Sequence, residues 1–372
     1  MRVVSVQMRD FRSYARAEAV LGEGLTVVHG PNGAGKSNLL EALYFGCTGR
    51  SSRTRNEREL VRFGAGVARV VVKLTDGACG HELSVGYGTI AGASGPVKRM
   101  AADGVPVERL LDVDHRPLVS VFEPDRLELV KGAPAARRAH LDQVVAAIWP
   151  GRAAERRAYG RALVQRNALL SRIRSGRASV GTLPAWDREL ALHALALRSH
   201  REEAAALLAE PFVTRAVQLG CRGVLSLAYR PRSKAADETE FLAELQARLP
   251  GDLERGFSGH GPHRDELAIL RDERELRSFG SQGEQRLALL ALLLAERDVL
   301  AQARKRTPLM LLDDVMSELD AERRELLARE LAAGGQSVIA TTDLAHVPGA
   351  SAQDVTRLRV GAGTILREAL AA

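Results

Sequence analysis

The chain has 372 residues, 45% of them hydrophobic, which is enough for two or three domains with packed cores. Its formal charge of +7 favours a polyanionic partner, although Arg richness can also reflect a GC-rich genome. The N-terminus lacks a signal-peptide pattern, and no apolar run approaches the roughly 18 residues of a membrane helix. Cys47, Cys79 and Cys221 have neither disulfide nor metal spacing. We therefore expect a cytoplasmic protein without a membrane segment.

The first 130 residues predict strands and turns with one early helix. Residues 2–11 alternate like a strand, and residues 25–30 (LTVVHG) form a short apolar run that ends in glycine. Residues 37–47 (SNLLEALYFGC) have the apolar spacing of a helix. Residues 68–107 contain strand-like runs that Gly-rich turns separate.

The segment GPNGAGKS joins the predicted strand to the predicted helix and matches the P-loop pattern. Its glycines allow backbone N–H groups to turn towards phosphates, Lys36 can reach the β- and γ-phosphates, and the Ser37 hydroxyl can bind Mg²⁺. A chance Gly-rich turn is the alternative. The strand–helix context favours an ATP and Mg²⁺ site made of Gly30, Pro31, Asn32, Gly33, Ala34, Gly35, Lys36 and Ser37.

After about residue 137 the composition and the apolar spacing become those of helices. Ala, Leu and Arg dominate residues 137–209, which predict three helices, the later two an antiparallel pair of about 25 residues or 40 Å each. From about residue 251 the pattern is again α/β. We therefore predict an α/β fold in which a discontinuous domain, residues 1–130 and 251–372, carries a helical insertion at residues 131–250.

The run LMLLDDVMSELD predicts a buried strand that delivers acids at its carboxyl end. Such a strand supplies the second Mg²⁺ contact of P-loop ATPases, which predicts that role for Asp313. The side chain of Asp314 points in a different direction from that of Asp313, because side chains alternate along a pleated strand. Asp314 therefore suits a general base that orients the attacking water. A strand that merely exits into an acidic turn is the alternative.

A second anion-binding pattern lies at Ser278–Arg297, where a polar loop precedes an apolar helix. Free N–H groups and the positive end of the helix dipole favour a phosphate there. Ser281, Gln282 and Gly283 are the candidate contacts. The alternative is ordinary capping, in which Ser281 and Glu284 form a capping box, and both roles can coexist.

Together these motifs resemble the ABC-type ATPases. SQGEQR resembles their signature motif, SELD resembles their D-loop, and the separation of Lys36 from Asp313 resembles the split head of SMC proteins. The insertion is too short for a long coiled coil. The whole chain resembles the RecF family of bacterial recombination and gap-repair ATPases, through FRSY, GRSSRTRNERELVRFG, FEPDRLELVKGAPAARRAHLD, GHGPHRDEL, SQGEQR and LLDDVMSELD.

The resemblance implies an ABC-type head in which two ATP molecules lie between two copies of the chain. Ser281, Gln282 and Gly283 would then contact the ATP of the partner. It also implies an ATP-dependent homodimer on DNA, loading of recombinase with RecO and RecR, and links to replication and the SOS response. Thr342 stands where transporters carry a histidine, so we expect slow hydrolysis; Glu123 is the nearest Q-loop candidate.

Basic residues indicate where DNA would bind. Ten arginines and two acids lie between Arg137 and Arg177, and five arginines lie between residues 50 and 62. Phosphate-backbone contact needs positive charge without base readout, although a solvated helix face is the alternative. Without interleaved aromatics, duplex DNA and its junctions with single strands are favoured over base stacking. The candidate contacts are Arg137, Arg138, Arg157 and Arg161.

Other interpretations stay open at this stage. His260, His263 and Asp265 could bind a metal, but a turn that returns the chain from the helical insertion is favoured. The sequence does not identify which arginine between residues 50 and 62 reaches the nucleotide or a dimer interface. A transporter-type ABC subunit and a non-hydrolysing DNA clamp are the competing functions; the long basic insertion argues against the first, and intact Lys36, Asp313 and Asp314 against the second.

Overall fold

The computed structural model describes residues 1–89 and 95–368. The chain divides into two compact units, Met1–Arg126 with Leu300–Ala372, and Leu127–Val299. The first boundary lies close to the predicted one. The second lies about 50 residues later, because residues 251–299 pack within the second unit, where a strand from this stretch pairs with a strand near residue 227. Residues 90–94 and 369–372 of the predicted α/β parts lie outside the described residues.

The N-terminal part of the first unit consists of strands and one early helix, as the sequence predicts. In chain order they are β1 (Arg2–Phe11), β2 (Tyr14–Val20), β3 (Leu25–His29), α1 (Lys36–Thr48), β4 (Val67–Thr75), β5 (Gly80–Thr89), β6 (Pro96–Ala102), β7 (Val105–Val107) and β8 (Val119–Phe122).

The second unit is mainly helical. Its elements are α2 (Glu128–Lys131), α3 (Pro134–Ile148), α4 (Ala153–Arg174), α5 (Leu183–Gln218), β9 (Leu225–Arg230), α6 (Glu238–Arg255), β10 (Glu266–Arg271), β11 (Arg274–Glu275), α7 (Leu276–Phe279) and α8 (Gln282–Arg304), whose last residues belong to the first unit. The first unit then resumes with β12 (Leu309–Asp313), α9 (Ala321–Ala332), β13 (Ser337–Thr341), β14 (Thr356–Gly361) and β15 (Thr364–Arg367).

A mixed sheet of order β15-β14-β3-β13-β12-β8 organises the first unit. All neighbouring strands run parallel except β14 and β15, and the central strand β13 pairs with β3 on one side and β12 on the other. Parallel strands end at the same edge of a sheet. The loop that follows β3 and the acids that end β12 therefore lie at one edge, although they are far apart in sequence.

A second sheet, antiparallel and of order β2-β1-β4-β5-β6-β7, completes the first unit. One hydrophobic core contains side chains from both sheets and from α1. The helix approaches β4 so closely that a Cβ at Gly46 would lie 2.3 Å from Val72 Cγ2. The buried Gln336 amide links the sheets, since it accepts from the Val3 N–H at 2.9 Å and donates to the Val3 and Gly22 carbonyls at 2.7 Å.

The predicted three helices are present in the second unit as α3, α4 and α5, and the last two form the predicted antiparallel pair. Helix α5 has 36 residues and is longer than expected because it continues through Pro211. Proline normally interrupts a helix by removing a hydrogen bond. Here the buried Phe212 and Ala216 anchor the continuation.

Buried ion pairs hold the helical unit together. Arg166, fully buried on α4, donates to Asp187 at 2.7 Å, to Asp252 at 2.8 Å and to Ser258 at 2.7 Å. Arg201 on α5 makes a bidentate pair with Asp142 at 2.7 and 3.0 Å. These guanidinium groups connect distant parts of the chain through planar, charge-assisted bonds.

The segment GHGPHRDE is a structural turn, as the sequence favours. Pro262–Arg264 form a short 3-10 helix, and the Arg201 guanidinium donates to the Pro262 carbonyl at 2.7 Å. The His263 ring lies between the Tyr159 hydroxyl at 2.6 Å and the Ser258 carbonyl at 2.9 Å. Burial lowers the pKa of His263 to about 4, so this ring is neutral at physiological pH.

We expect Arg166→Ala to reduce the free energy of unfolding by about 3–5 kcal/mol, because it leaves Asp187 and Asp252 without their buried partner. Urea unfolding monitored by circular dichroism measures the loss. Arg172→Ala, an exposed arginine on the same helix, is the matched control and should change stability by less than about 0.5 kcal/mol. Equal effects of the two substitutions would contradict this account of the helical core.

Candidate nucleotide-binding site

The P-loop lies between β3 and α1, and its backbone conformation requires glycine. Gly30, Gly33 and Gly35 have φ angles of 152°, 77° and 114°. A Cβ at Gly30 would lie 2.2 Å from the Val360 carbonyl oxygen, and one at Gly35 would lie 2.9 Å from the Tyr14 hydroxyl. The first turn of α1 contains no acidic residue and has no side-chain cap, which leaves its N–H groups suited to an anion.

Lys36 is the buried cation of this loop. Its ammonium donates to the Gly30 carbonyl at 2.8 Å and to the Pro31 carbonyl at 3.0 Å. Burial lowers the pKa of Lys36, while the nearby charges of Asp314 and Asp313 oppose that shift. The side chain thus spans the loop beside two carboxylates, where it can meet a phosphate.

Asp313, the last residue of β12, lies beside Ser37, whose hydroxyl group favours the ionised carboxylate. Burial raises the pKa of its carboxyl group, and the charge of Asp314 acts in the same direction. A hydroxyl oxygen and a carboxylate oxygen are the hard ligands that Mg²⁺ prefers. The structure thereby brings together the two residues that the sequence predicts as Mg²⁺ ligands, and they fit that ion.

Asp314 adopts a left-handed conformation, with φ of 51°, and its N–H donates to the Ala340 carbonyl at 3.1 Å. Its Oδ1 atom is buried and has no hydrogen-bond partner within residues 1–89 and 95–368. An uncompensated buried acceptor is costly unless another group completes it. A water molecule beside a nucleotide would do so, which fits the predicted role of a general base.

Glu123 follows β8 and is buried. It accepts a hydrogen bond of 2.6 Å from the Ser52 hydroxyl. Burial raises the pKa of Glu123, and repulsion from Asp313 contributes to the shift. The charge on Asp313, the predicted Mg²⁺ ligand, therefore affects the protonation of Glu123, the Q-loop candidate.

Glu41 and two arginines around it were not recognised individually from the sequence. The fully buried Glu41 carboxylate accepts two bonds of 2.8 Å from Arg12 and one of 2.5 Å from Ser51, and Arg53 lies 3.7 Å away. Arg53 also donates to Asn38 at 3.1 Å, and its charge opposes the rise in the pKa of Asp313. The sequence contained one signal for this cluster, an acid within an otherwise apolar helix. A buried carboxylate requires a cation, so this acid predicts a basic partner.

The signature loop precedes α8 and belongs to the second unit. The Ser281 N–H donates to Glu284 at 2.8 Å, and the Glu284 N–H donates to the Ser281 hydroxyl at 3.3 Å. This reciprocal pair confirms the predicted capping box. Ser281 and Gln282 are exposed and Gly283 is half-buried. Their contact with a partner's ATP stays a prediction.

Two of the four predicted DNA contacts have other partners in the structure. Arg137 is buried, pairs with Glu266 at 2.7 and 3.1 Å and donates to the Gly132 carbonyl at 2.9 Å. The prediction that Arg137 contacts DNA is corrected, because its guanidinium group is buried and bonded to these groups. Arg138 is half-buried and donates to the Asp265 carbonyl at 2.8 Å.

Arg157 and Arg161 are exposed, one turn apart on α4. They line a groove of about 730 Å³ together with Val164, Trp186 and Glu189. Their guanidinium groups are therefore accessible to a large partner, and they remain the candidates for DNA contact.

Comparison with known proteins identifies relatives along the whole chain. A family model described as an AAA domain matches residues 5–85. The chain is 37% identical over 378 residues to the DNA replication and repair protein RecF of Myxococcus xanthus, with 98% of this chain and 97% of the relative covered. It is 38% identical to RecF of an Anaeromyxobacter strain, with coverages of 98% and 99%.

Solved structures give the same result. The chain is similar to the recombination mediator protein RecF-ATPrS of the RecFOR pathway, with a TM-score of 0.86, 26% identity, and 99% and 98% of the two chains covered. It also resembles the SMC head bound to the C-winged helix domain of ScpA, with a TM-score of 0.59, 16% identity, and coverages of 100% and 98%. The second likeness concerns the fold alone. The predicted ABC-type head fold is confirmed.

We expect Asp313→Asn to stabilise the nucleotide-free protein by about 1 kcal/mol, because it removes a charge that burial disfavours. The raised pKa means that the folded state binds the proton more tightly than the unfolded state, so the gain holds at neutral pH and vanishes below about pH 4. Thermal melts across this pH range measure it. Stabilisation by Mg·ATP should disappear in the same variant.

The exposed Asp125→Asn is the matched control for charge and should leave both properties unchanged. A variant at Asp313 that melts lower than wild type, or that retains full stabilisation by Mg·ATP, would contradict this description of the site.

Proposed function

Because this chain belongs to the RecF family, we propose that it is an ATP-dependent DNA-binding ATPase of recombinational gap repair and replication restart. The observation that carries the proposal is the proximity of Ser37 in the P-loop to Asp313 at the end of β12, where the Ser37 hydroxyl influences the pKa of the Asp313 carboxyl group. It assembles an Mg²⁺ site from residues far apart in sequence. The solved relatives include RecF bound to ATP, which supports ATP as the nucleotide.

In the proposed reaction, backbone N–H groups of the P-loop and Lys36 hold the phosphates, while Ser37 and Asp313 hold Mg²⁺. Asp314 orients the attacking water and accepts its proton. The buried, unpartnered Oδ1 atom of Asp314 supports this role. Thr342 follows β13 in the position of the transporter histidine. A threonine hydroxyl is a weaker contact for the γ-phosphate than an imidazole, so hydrolysis is slow.

The site becomes complete only when two copies of the chain meet. Ser281, Gln282 and Gly283 contact the γ-phosphate held by the partner, and ATP thereby closes a head-to-head homodimer. The exposure of Ser281 and Gln282 supports this proposal, because a partner can reach both side chains. Hydrolysis removes the bridging γ-phosphate and opens the dimer.

DNA is held through its phosphate backbone, with Arg157 and Arg161 as the contacts. Their exposure one turn apart on α4 supports this assignment, and duplex DNA and its junctions with single strands are the proposed substrates. The relatives are named for DNA replication and repair and for the RecFOR pathway, which supports action with RecO and RecR in loading recombinase.

The cytoplasm is the proposed location, consistent with Cys47 and Cys79, which form no disulfide within residues 1–89 and 95–368. Within the part of the chain that the structure describes, no helix combines the length and apolar character that spanning a membrane requires.

The composite site predicts complementation between two inactive variants. Lys36→Ala damages the P-loop, and Ser281→Arg damages the signature loop, so neither should dimerise on ATP. In an equal mixture only heterodimers should form, each with one intact site of two, so the mixture should recover up to about half of wild-type ATPase activity. Sedimentation velocity with ATP against ADP reports the dimer, and phosphate release reports the turnover.

Ser278→Arg, at an exposed serine of the preceding helix α7, is the control for the introduced charge and should behave like wild type. Full dimerisation of the Lys36 or Ser281 variant alone, or no recovery in a mixture of folded variants, would contradict the shared site.

We expect the double variant Arg157→Ala/Arg161→Ala to weaken binding of duplex DNA and to flatten its salt dependence. Each lost phosphate contact should reduce the slope of log K against log salt by about 0.9. Fluorescence anisotropy with labelled duplex over a salt series measures both effects. The control Arg222→Ala/Arg248→Ala removes two exposed arginines of the same unit, and an equal loss there would contradict a localised DNA surface.

A further inference from the structure

Three metal-ligating side chains converge on the antiparallel sheet of the first unit. His81 Nδ1 lies 2.8 Å from Asp103 Oδ2, and His115 Nε2 lies 3.4 Å from the same oxygen. One ligand atom from each of these residues lies within 4.8 Å of the other two. The nucleotide site uses none of these residues, so the cluster requires its own explanation.

The backbone holds the Asp103 carboxylate in place. Asp103 and Gly104 form the tight turn between β6 and β7, with φ angles of 50° and 79°. The Glu82 N–H donates to Asp103 Oδ1 at 2.8 Å, which leaves Oδ2 directed at the two imidazoles. The carboxylate is therefore fixed by a bond from outside the cluster, as is usual for metal ligands.

The two imidazole rings are also arranged by the fold. They are stacked, with centroids 4.2 Å apart and planes inclined by 16°. His115 Nε2 is buried and has no hydrogen-bond partner among the residues that the structure describes. A buried imidazole nitrogen without such a partner, 3.4 Å from a carboxylate oxygen, is available to a metal ion.

We propose that His81 Nδ1, Asp103 Oδ2 and His115 Nε2 bind a divalent transition-metal cation, with Zn²⁺ as the representative ion. Tetrahedral Zn²⁺ with bonds of about 2.0–2.1 Å separates its ligand atoms by about 3.3 Å, close to the spacings between Asp103 and each imidazole. Nitrogen ligands select this class over Mg²⁺ and Ca²⁺, which prefer oxygen.

The metal would fasten three segments of the first unit to one another. His81 lies on β5, Asp103 lies in the β6–β7 turn, and His115 lies in the segment that leads into β8. Strand β8 pairs with β12 and precedes Glu123. Binding would thus tie the antiparallel sheet to the strand that ends beside the nucleotide site, and it would stabilise this unit.

Zn²⁺ binding to the metal-free, full-length protein tests the proposal. Titration calorimetry without nucleotide should show one site per chain, and Co²⁺ should give the visible spectrum of mixed nitrogen and oxygen ligation. Free Zn²⁺ at about 100 times its Kd should raise the Tm by about 5 °C. Asp103→Asn and His115→Ala should each weaken Zn²⁺ binding at least about 10-fold.

Two controls separate this site from other metal-binding groups. His193→Ala removes a histidine that also contacts two carboxylates, Glu155 and Glu189, and it should leave Zn²⁺ binding unchanged. Asp313→Asn should also retain it, since the nucleotide site is separate. Circular dichroism checks that each variant is folded. Absence of Zn²⁺ binding by wild type, or equal affinity in folded His115→Ala protein, would overturn the proposal.

Discussion

The parallel ladder of β3, β13 and β12 is the constraint on which the site depends. Its hydrogen bonds bring the end of β3 and the end of β12 to one edge of the sheet, although Lys36 and Asp313 are 277 residues apart. The helical unit can therefore be inserted between them without disturbing the chemistry. The Ser37 hydroxyl lies close enough to the Asp313 carboxyl group to influence its pKa because the ladder fixes both strand ends.

The site also contains charges that disfavour folding. Burial raises the pKa of both Asp313 and Glu123, and each lies close enough to other charges to be shifted by them. Such groups are retained where function needs them, and Mg²⁺ with a nucleotide would offset their repulsion. Nucleotide binding and stability are therefore connected, because the carboxylates whose burial disfavours folding are the ones that Mg²⁺ and the nucleotide would compensate.

Much of the fold and site could be predicted from the sequence because the signals are local. Strand and helix periodicity gave β1, β3, α1 and β12, and the P-loop spacing gave the phosphate cradle. Partnerships across the fold could not be predicted. Arg137 appeared as one of many arginines, yet it pairs with Glu266, which is 129 residues away. Similarly, nothing in the spacing of residues 81, 103 and 115 indicates that an Asp-Gly turn brings them together.

The central claim is that the signature loop of one copy contacts the ATP of another, and cross-linking tests it directly. ATP with a photoreactive group on its γ-phosphate would be added to a mixture of wild-type chains and isotopically heavy Lys36→Ala chains. Only the wild-type chains can hold this nucleotide. Mass spectrometry of the cross-linked peptides then identifies the chain of origin. The account predicts heavy peptides that contain Ser281. If only light peptides of this loop were cross-linked and no heavy peptide appeared, the loop would contact the ATP of its own chain, and the claim would be contradicted.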